Sequence, residues 1–256
     1  MISSHLRRIY KNNYFKSLIL FLLFLPSIEI IMEMYHIKII GGEVPNPNHA
    51  FFLAALTQGH IIQSIYLWFL PLYFLLFVSG DTVQDYKTGY NNILISKVGK
   101  HKYFREKIFV SFWVPFLIMF FSLIINLILC YVLFNGGTYS PSQGLEMPEN
   151  ILFTASIKHP LLTNLVFLLV TSLFSGFSGI VGVSFSFLFK KNEYVYPSVF
   201  MLWFLLASRD DSLLFLLQPF AEYDYDVLIP IFLLCIALFV LLWVISYIVE
   251  VRYREV

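Results

Sequence analysis

The sequence predicts an all-α integral membrane protein, a single domain over 1–256 with six transmembrane helices. An N-terminal interfacial helix precedes them, and a broken or re-entrant outer segment separates the fifth and sixth. Three observations carry this reading. Hydrophobic residues make up 59% of the 256, against about 45 to 50% in soluble domains, and mean hydropathy is +0.76. The apolar residues gather into long runs. Basic residues crowd into alternate gaps between those runs, as they do in cytoplasmic loops.

Residues 1–16 set Ile2, Leu6, Ile9 and Tyr10 at helical spacing beside Arg7, Arg8, Lys11 and Lys16. The pattern suits either a short helix in the headgroup region, basic side to water, or a frayed polar tail. No small-residue cleavage site follows, so the first apolar run is read as a retained span. That span covers 17–40, with Pro26 as a kink. Glu29 and Glu33 share one of its faces at i, i+4 spacing. Each would cost about 2.5 to 3.5 kcal/mol if left at the bilayer centre. The pair is therefore either a polar translocation face, turned to a partner or a substrate path, or the outer end of the helix.

An outer loop over 41–60 holds Pro45, Asn46, Pro47 and Asn48 and an apolar patch, AFFLAAL. The patch is too short to span and is expected to dip into the outer interface. The second span covers 61–80, with Pro71 near its middle. Next comes the polar interval 81–107, which carries Lys87, Lys97, Lys100, Lys102, Arg105 and Lys107 against Asp81, Asp85 and Glu106. It reads as a basic loop with a short amphipathic helix beside a membrane.

The third span covers 108–134, interrupted only by Pro115 and by Asn126, which needs a partner on another helix. An external loop, 135–160, is rich in Gly, Ser and Pro. The fourth span, 161–189, contains SLFSGFSGIVGVSFS. Its small residues, Gly176, Gly179 and Gly182 among them, form ridges at i, i+4 spacing that let helix backbones approach closely. Close packing within the chain is expected, with a subunit interface as the alternative, since such ridges serve both. The fifth run, 194–208, has the length of a helix of about 22 Å, short of a hydrocarbon core of about 30 Å. The segment 208–226, interrupted by Pro219, is read as its external re-entrant continuation. The last span covers 227–249.

Charge orients the chain. With the N-terminus inside, 1–16, the interval 81–107, Lys190 with Lys191, and Arg252 with Arg254 hold all the basic residues except Lys38, Lys158 and Arg209. Both termini are then cytoplasmic.

Catalytic patterns are missing. There is no GxxxxGK[ST] phosphate loop and no HExxH, GxSxG or SxxK arrangement, and the six His are scattered singly. No metal site and no catalytic residue is therefore expected. Glu29 and Glu33 with His36 make the one cluster an intramembrane enzyme could use. Cys130 and Cys235 lie inside apolar runs and do not indicate a disulfide framework.

The interval 81–107 resembles the loop between the second and third spans in permease subunits of type 2 ABC exporters. That loop runs acid, three residues, Gly, an apolar stretch, Ser or Pro with basic residues, then Lys opening the third span. Asp85 and Gly89 match the acid and glycine. Ile93, Leu94, Ile95 and Ser96 match the apolar stretch and its serine, Lys100 and His101 the basic pair, and Lys107 the final lysine. Tyr90 stands where a small hydroxyl residue is usual, and Val98 and Gly99 where a Pro is usual.

The resemblance implies a cytoplasmic coupling helix between spans 2 and 3, docked on a separate ABC ATPase subunit. It implies two ATPase copies, a second permease, identical or homologous, and a bacterial cell membrane around them. ATP and Mg would be bound by the ATPase, with no cofactor on this chain and no nucleic acid partner. The substrate class it implies is hydrophobic or amphipathic, antimicrobial or toxic peptides being favoured. An ATP-independent enzyme using Glu29 and Glu33 and a non-transporting membrane scaffold are the alternatives.

Overall fold

A computed structural model describes residues 6–8, 11, 13–40, 47–54, 61–134, 150–219 and 223–253. Among the described residues every regular element is helical. The helices are α1 Asn13–Ile40, α2 Ile61–Trp68, α3 Leu70–Lys87, α4 Tyr90–Val98, α5 Lys100–Leu133, α6 Ile151–Lys158, α7 Pro160–Phe189, α8 Asn192–Ala207 and α9 Tyr225–Tyr247. Four of them, α1, α5, α7 and α9, are long and apolar enough to cross a membrane. The pair α2 and α3, bent by 58° where they meet, supplies a fifth if counted as one span. The 16 residues of α8 reach about 24 Å at 1.5 Å each, less than a hydrocarbon core.

The bundle is built around α7, the most buried of the four long helices. It packs against α5 and α3 most extensively and against α9 and α8 on its remaining sides, while α1 lies along α5. Small residues allow this. A Cβ on Gly179 would stand 2.0 Å from the carbonyl oxygen of Ser111 on α5. One on Gly176 would meet the ring of Phe112 at 2.6 Å, and one on Gly182 would meet Leu75 of α3 at 2.8 Å. Four α7 serines donate within their own helix, Ser172 to the Leu168 carbonyl, Ser175 to that of Thr171, Ser178 to that of Ser175 and Ser186 to that of Gly182. They act as small residues with satisfied polar groups.

A proline leaves the carbonyl four residues back without its N–H partner, and at Leu22 and Leu67 a side chain of a neighbouring helix donates to the freed oxygen. Pro26 frees Leu22, whose oxygen accepts from the Ser122 hydroxyl of α5 at 2.7 Å. Tyr66 of α2 donates to the same hydroxyl at 2.9 Å. Pro71 frees Leu67, whose oxygen accepts from the indole N–H of Trp203 on α8 at 3.2 Å. Pro115 frees Ser111, the carbonyl against which Gly179 lies. Helices α1 and α5 nonetheless run through Pro26 and Pro115 without a break in assignment.

Several expectations are corrected. The interval 81–107 is mostly helix: α3 runs on to Lys87, and Lys100–Lys107 form the first two turns of α5. Local helix propensity outlasts hydropathy here, because Lys, Arg, Glu and Gln are good helix formers once the helix is nucleated in the apolar run. The patch beginning at Ala50 is a plug packed into the bundle, its apolar side chains turned to protein. Phe51, Phe52 and Leu53 are almost fully buried, in the turn Asn48–Ala54 packed on α5 and α7. Phe51 stacks on Phe134 at 3.8 Å between centroids. The rest of the loop, 41–46 and 55–60, lies outside the described residues, as do 135–149 of the expected external loop. The described end of that loop contains α6, capped by the Asn150 side chain, which accepts from the Phe153 N–H at 2.8 Å.

Between α8 and α9 the chain makes a 3-10 turn, Leu213–Leu217, whose Leu213, Leu216 and Leu217 are buried against α7 and α9. Asn126 holds the plug in place. Its Nδ2 donates to the Pro26 carbonyl at 2.9 Å, and its Oδ1 accepts from the Leu53 N–H at 3.1 Å. Leu53 has φ +53, a left-handed geometry costly for a side-chain-bearing residue, and this hydrogen bond helps to hold it.

Candidate functional site

One helical turn separates Asp81 from Asp85 on α3, so both carboxylates leave the same face. Asp85 is fully buried, and an unpaired carboxylate there would carry a large desolvation penalty. Two cations meet the pair. Lys107, 2% exposed, places Nζ 3.1 Å from Asp81 and 3.4 Å from Asp85. Arg8, from the N-terminal segment, places Nη1 2.7 Å from Asp85 and 3.0 Å from Asp81. Two acids and two bases thus form a formally neutral quartet whose bonded members lie 22 to 77 residues apart in the chain.

Burial by itself would lower the Arg8 pKa. The hydrogen bond it donates to Asp85 and the two carboxylate charges outweigh it, so the guanidinium is held even more firmly charged than usual. Arg8 was expected to face water or headgroups; the carboxylates draw it inward instead. Its guanidinium also lies 5.1 Å from the centroid of the Tyr90 ring, within cation–π range.

Around the quartet, rings close the end of the bundle. Phe187 at the end of α7 stacks on Phe104 at 4.8 Å and takes the edges of Tyr86 and Tyr103. Tyr86 donates a short hydrogen bond to Glu250, in the turn Ile248–Tyr253 that follows α9. Lys190 lies 4.7 Å from the Tyr86 ring centroid. N-terminal segment, α3, α5, α7 and C-terminal turn are therefore joined at one point. A cavity of about 760 Å³ borders it, lined by Arg8, Lys11, Asp81, Gln84, Lys87 and Asn192 among others. It lies on the Asp81 and Arg8 side, while Asp85 and Lys107 remain dry.

From this joint hangs α4. Gly89 precedes it with φ +69 and Gly99 follows it with φ +81, both left-handed values that glycine adopts without a Cβ penalty. Asn91, Leu94 and Ile95 turn inward and are buried, while Tyr90, Asn92, Ile93, Ser96 and Lys97 are exposed. The short helix thus presents Ile93, 51% exposed, and Tyr90 on its free side.

The structure sorts the residues singled out by sequence. Asp85 and Lys107 meet in the quartet. Gly89, Ile93, Leu94 and Ser96 belong to α4 and its leading turn, with Leu94 on the inner face. Lys100 and His101 open α5, and His101 Nδ1 lies 2.9 Å from the Tyr247 hydroxyl of α9. Glu29 is apart from all of these. It is 8% exposed and accepts from the Gln63 N–H at 2.9 Å, in the first turn of α2, where N–H groups have no carbonyl partner within the helix. Glu33 is half-buried on the same helix. Gly176, Gly179 and Gly182 serve the packing of α7. Among the described residues no three His, Cys, Asp or Glu side chains converge as a metal site would require.

Sequence reasoning missed Arg8, Asp81 and Glu250 as partners. A signal existed for the first two: carboxylates four apart, beside an apolar run, require cations on other elements.

The fold and this joint define a multi-helix membrane protein whose helix ends are locked by buried charge. The chain belongs to the family of the uncharacterized protein YybM of Bacillus subtilis (strain 168). The two are 44% identical over 257 residues, covering 99% of this chain and 100% of that protein. No protein-family model and no solved structure matches the chain.

Proposed function

We propose that this chain is the membrane-spanning permease subunit of an ATP-driven transporter of the type 2 ABC exporter kind, with its ATPase on a separate chain. The observation that carries the reading is α4, a nine-residue helix between two left-handed glycines. Its inner face is packed, and Ile93 and Lys97 are exposed on the other side. A helix so mounted suits docking in a groove of a partner subunit. The quartet next to it supports a mechanical role, since it ties the end of α3 to the start of α5. A push on α4 would move both helices together.

In this reading the chain crosses a bacterial cell membrane six times with both termini in the cytoplasm. The spans are α1, the bent pair α2–α3, α5, α7, the short α8 and α9. Two permeases would pair across a path to which α1 contributes exposed Phe21, Phe24, Ile28 and Ile31. Such a surface fits hydrophobic or amphipathic cargo, peptides first among it. ATP and Mg belong to the ATPase.

The test is purification from the native host in mild detergent with cysteines placed at Ile93 and Ser96. A stoichiometric subunit bearing a phosphate-binding loop that cross-links to either position is the expected outcome. Gly89→Ala, which forces a Cβ into a left-handed turn at about 1 to 2 kcal/mol, should then lower transport per ATP hydrolysed without loss of membrane insertion. Recovery of the chain with no nucleotide-binding partner under several conditions would overturn the proposal.

A further inference from the structure

The first turns of α5 and the last turns of α9 enclose a groove of about 570 Å³ on the same end of the bundle as the quartet. Phe104 and Ile108 line it from α5, and Trp243 and Val244 from α9. Its walls are tied together by the contact of His101 with the Tyr247 hydroxyl and by the edge of Tyr247 on Phe104, 5.3 Å between centroids. Lys102 and Arg105 complete the lining, both exposed and three residues apart on one helix. No carboxylate is among the lining residues.

We propose that this groove binds an anionic phospholipid of the surrounding bilayer. Lys102 and Arg105 take the phosphate, and an acyl chain lies against Phe104, Ile108 and Val244. Charge complementarity selects the headgroup, because two cations line the groove and no carboxylate is among its described lining residues. The apolar lining selects a lipid over a free anion, which would leave that surface empty. Trp243, 38% exposed, is the residue type found where acyl chains give way to headgroups, and basic pockets between helix ends are known sites for acidic headgroups. The lipid would brace α5 against α9 within about one and a half turns of Lys107. The inference uses only the membrane placement of these helices and requires neither an ATPase nor transport.

The test contains no nucleotide and no partner. The full chain, purified in a neutral detergent, is titrated with dioleoyl phosphatidylglycerol and separately with dioleoyl phosphatidylcholine, and bound copies are counted by native mass spectrometry. The phosphatidylglycerol should bind more tightly. Each cation near a headgroup contributes about a fivefold factor, so Lys102→Gln with Arg105→Gln should weaken that binding about thirtyfold. Lys97→Gln with Lys191→Gln, two exposed cations outside the groove, should change it far less. Equal binding of the two lipids, or equal loss in both double variants, would reduce the groove to diffuse attraction and overturn the site. Inorganic phosphate competing as well as the phosphatidylglycerol would overturn the lipid assignment. Circular dichroism of each variant establishes that helix content is retained.

Discussion

Replacing Lys107 with Met keeps the length and apolar stem of the side chain and removes only its charge. The structure sets the consequence. Nζ stands 3.1 Å from Asp81 and 3.4 Å from Asp85, on a side chain 2% exposed. Without it, the buried Asp85 loses one of its two cations and has no solvent to turn to. At an effective dielectric of about 20, a single contact at such a distance is worth roughly 5 kcal/mol of attraction before desolvation. Removing one partner of a buried pair costs about 3 to 5 kcal/mol. For a chain of this size that corresponds to a fall of roughly 6 to 20 °C in the thermal midpoint.

The assay is thermal unfolding of the purified protein in detergent. Adding Asp81→Asn to Lys107→Met restores one acid against one base and should recover most of the loss. Lys102→Met, a surface change on the same helix, should shift the midpoint by little. Arg8→Gln should cost less than Lys107→Met, since Arg8 is 38% exposed and solvent screens its pairs. A Lys107→Met midpoint within measurement error of the parent, or a double variant no more stable than the single, would refute the quartet as a structural joint.

Three other outcomes are expected. Gly179→Ala should be the most damaging change on α7, because its Cβ would meet a backbone oxygen at 2.0 Å, at a cost of about 1 to 3 kcal/mol or more. Gly176→Ala should be milder, since the Phe112 ring it meets can turn; thermal midpoints compare the two. Asn126→Leu leaves the Leu53 N–H unpaired in a dry site, which should destabilise by about 1 to 3 kcal/mol and raise hydrogen exchange in the Asn48–Ala54 turn. Asp224 supplies the pH dependence. The Tyr225 N–H, with those of Ile151 and Leu152 after it, holds this carboxyl below its ordinary value against the cost of burial. Its contribution is therefore complete above the usual carboxylate range and lost as pH falls through the lowered folded value. Protection of α6 against hydrogen exchange should fall with it, and Asp224→Asn should abolish that acid dependence.

Long apolar runs and the small-residue ridges of the fourth were legible in the sequence, because desolvation of a helix and the room at a glycine are properties of a short stretch of chain. The glycines at 89 and 99 were legible as punctuation for the same reason. What the prolines would do was half legible. Pro26 and Pro71 announce freed carbonyls at Leu22 and Leu67, and only packing shows that Ser122 and Trp203 donate to them. The Phe51–Leu53 plug looked interfacial because its burial depends on α5 and α7, far along the chain.

The quartet marks the division most clearly. Hydropathy and spacing determined that Asp81 and Asp85 would share a face and could not stay unpaired near lipid. Which cations would answer them was decided by the tertiary structure, which brings Arg8 and Lys107 to one point. Distance along a chain says little about distance in a folded bundle, and buried charge is stabilised only by the neighbours it meets there.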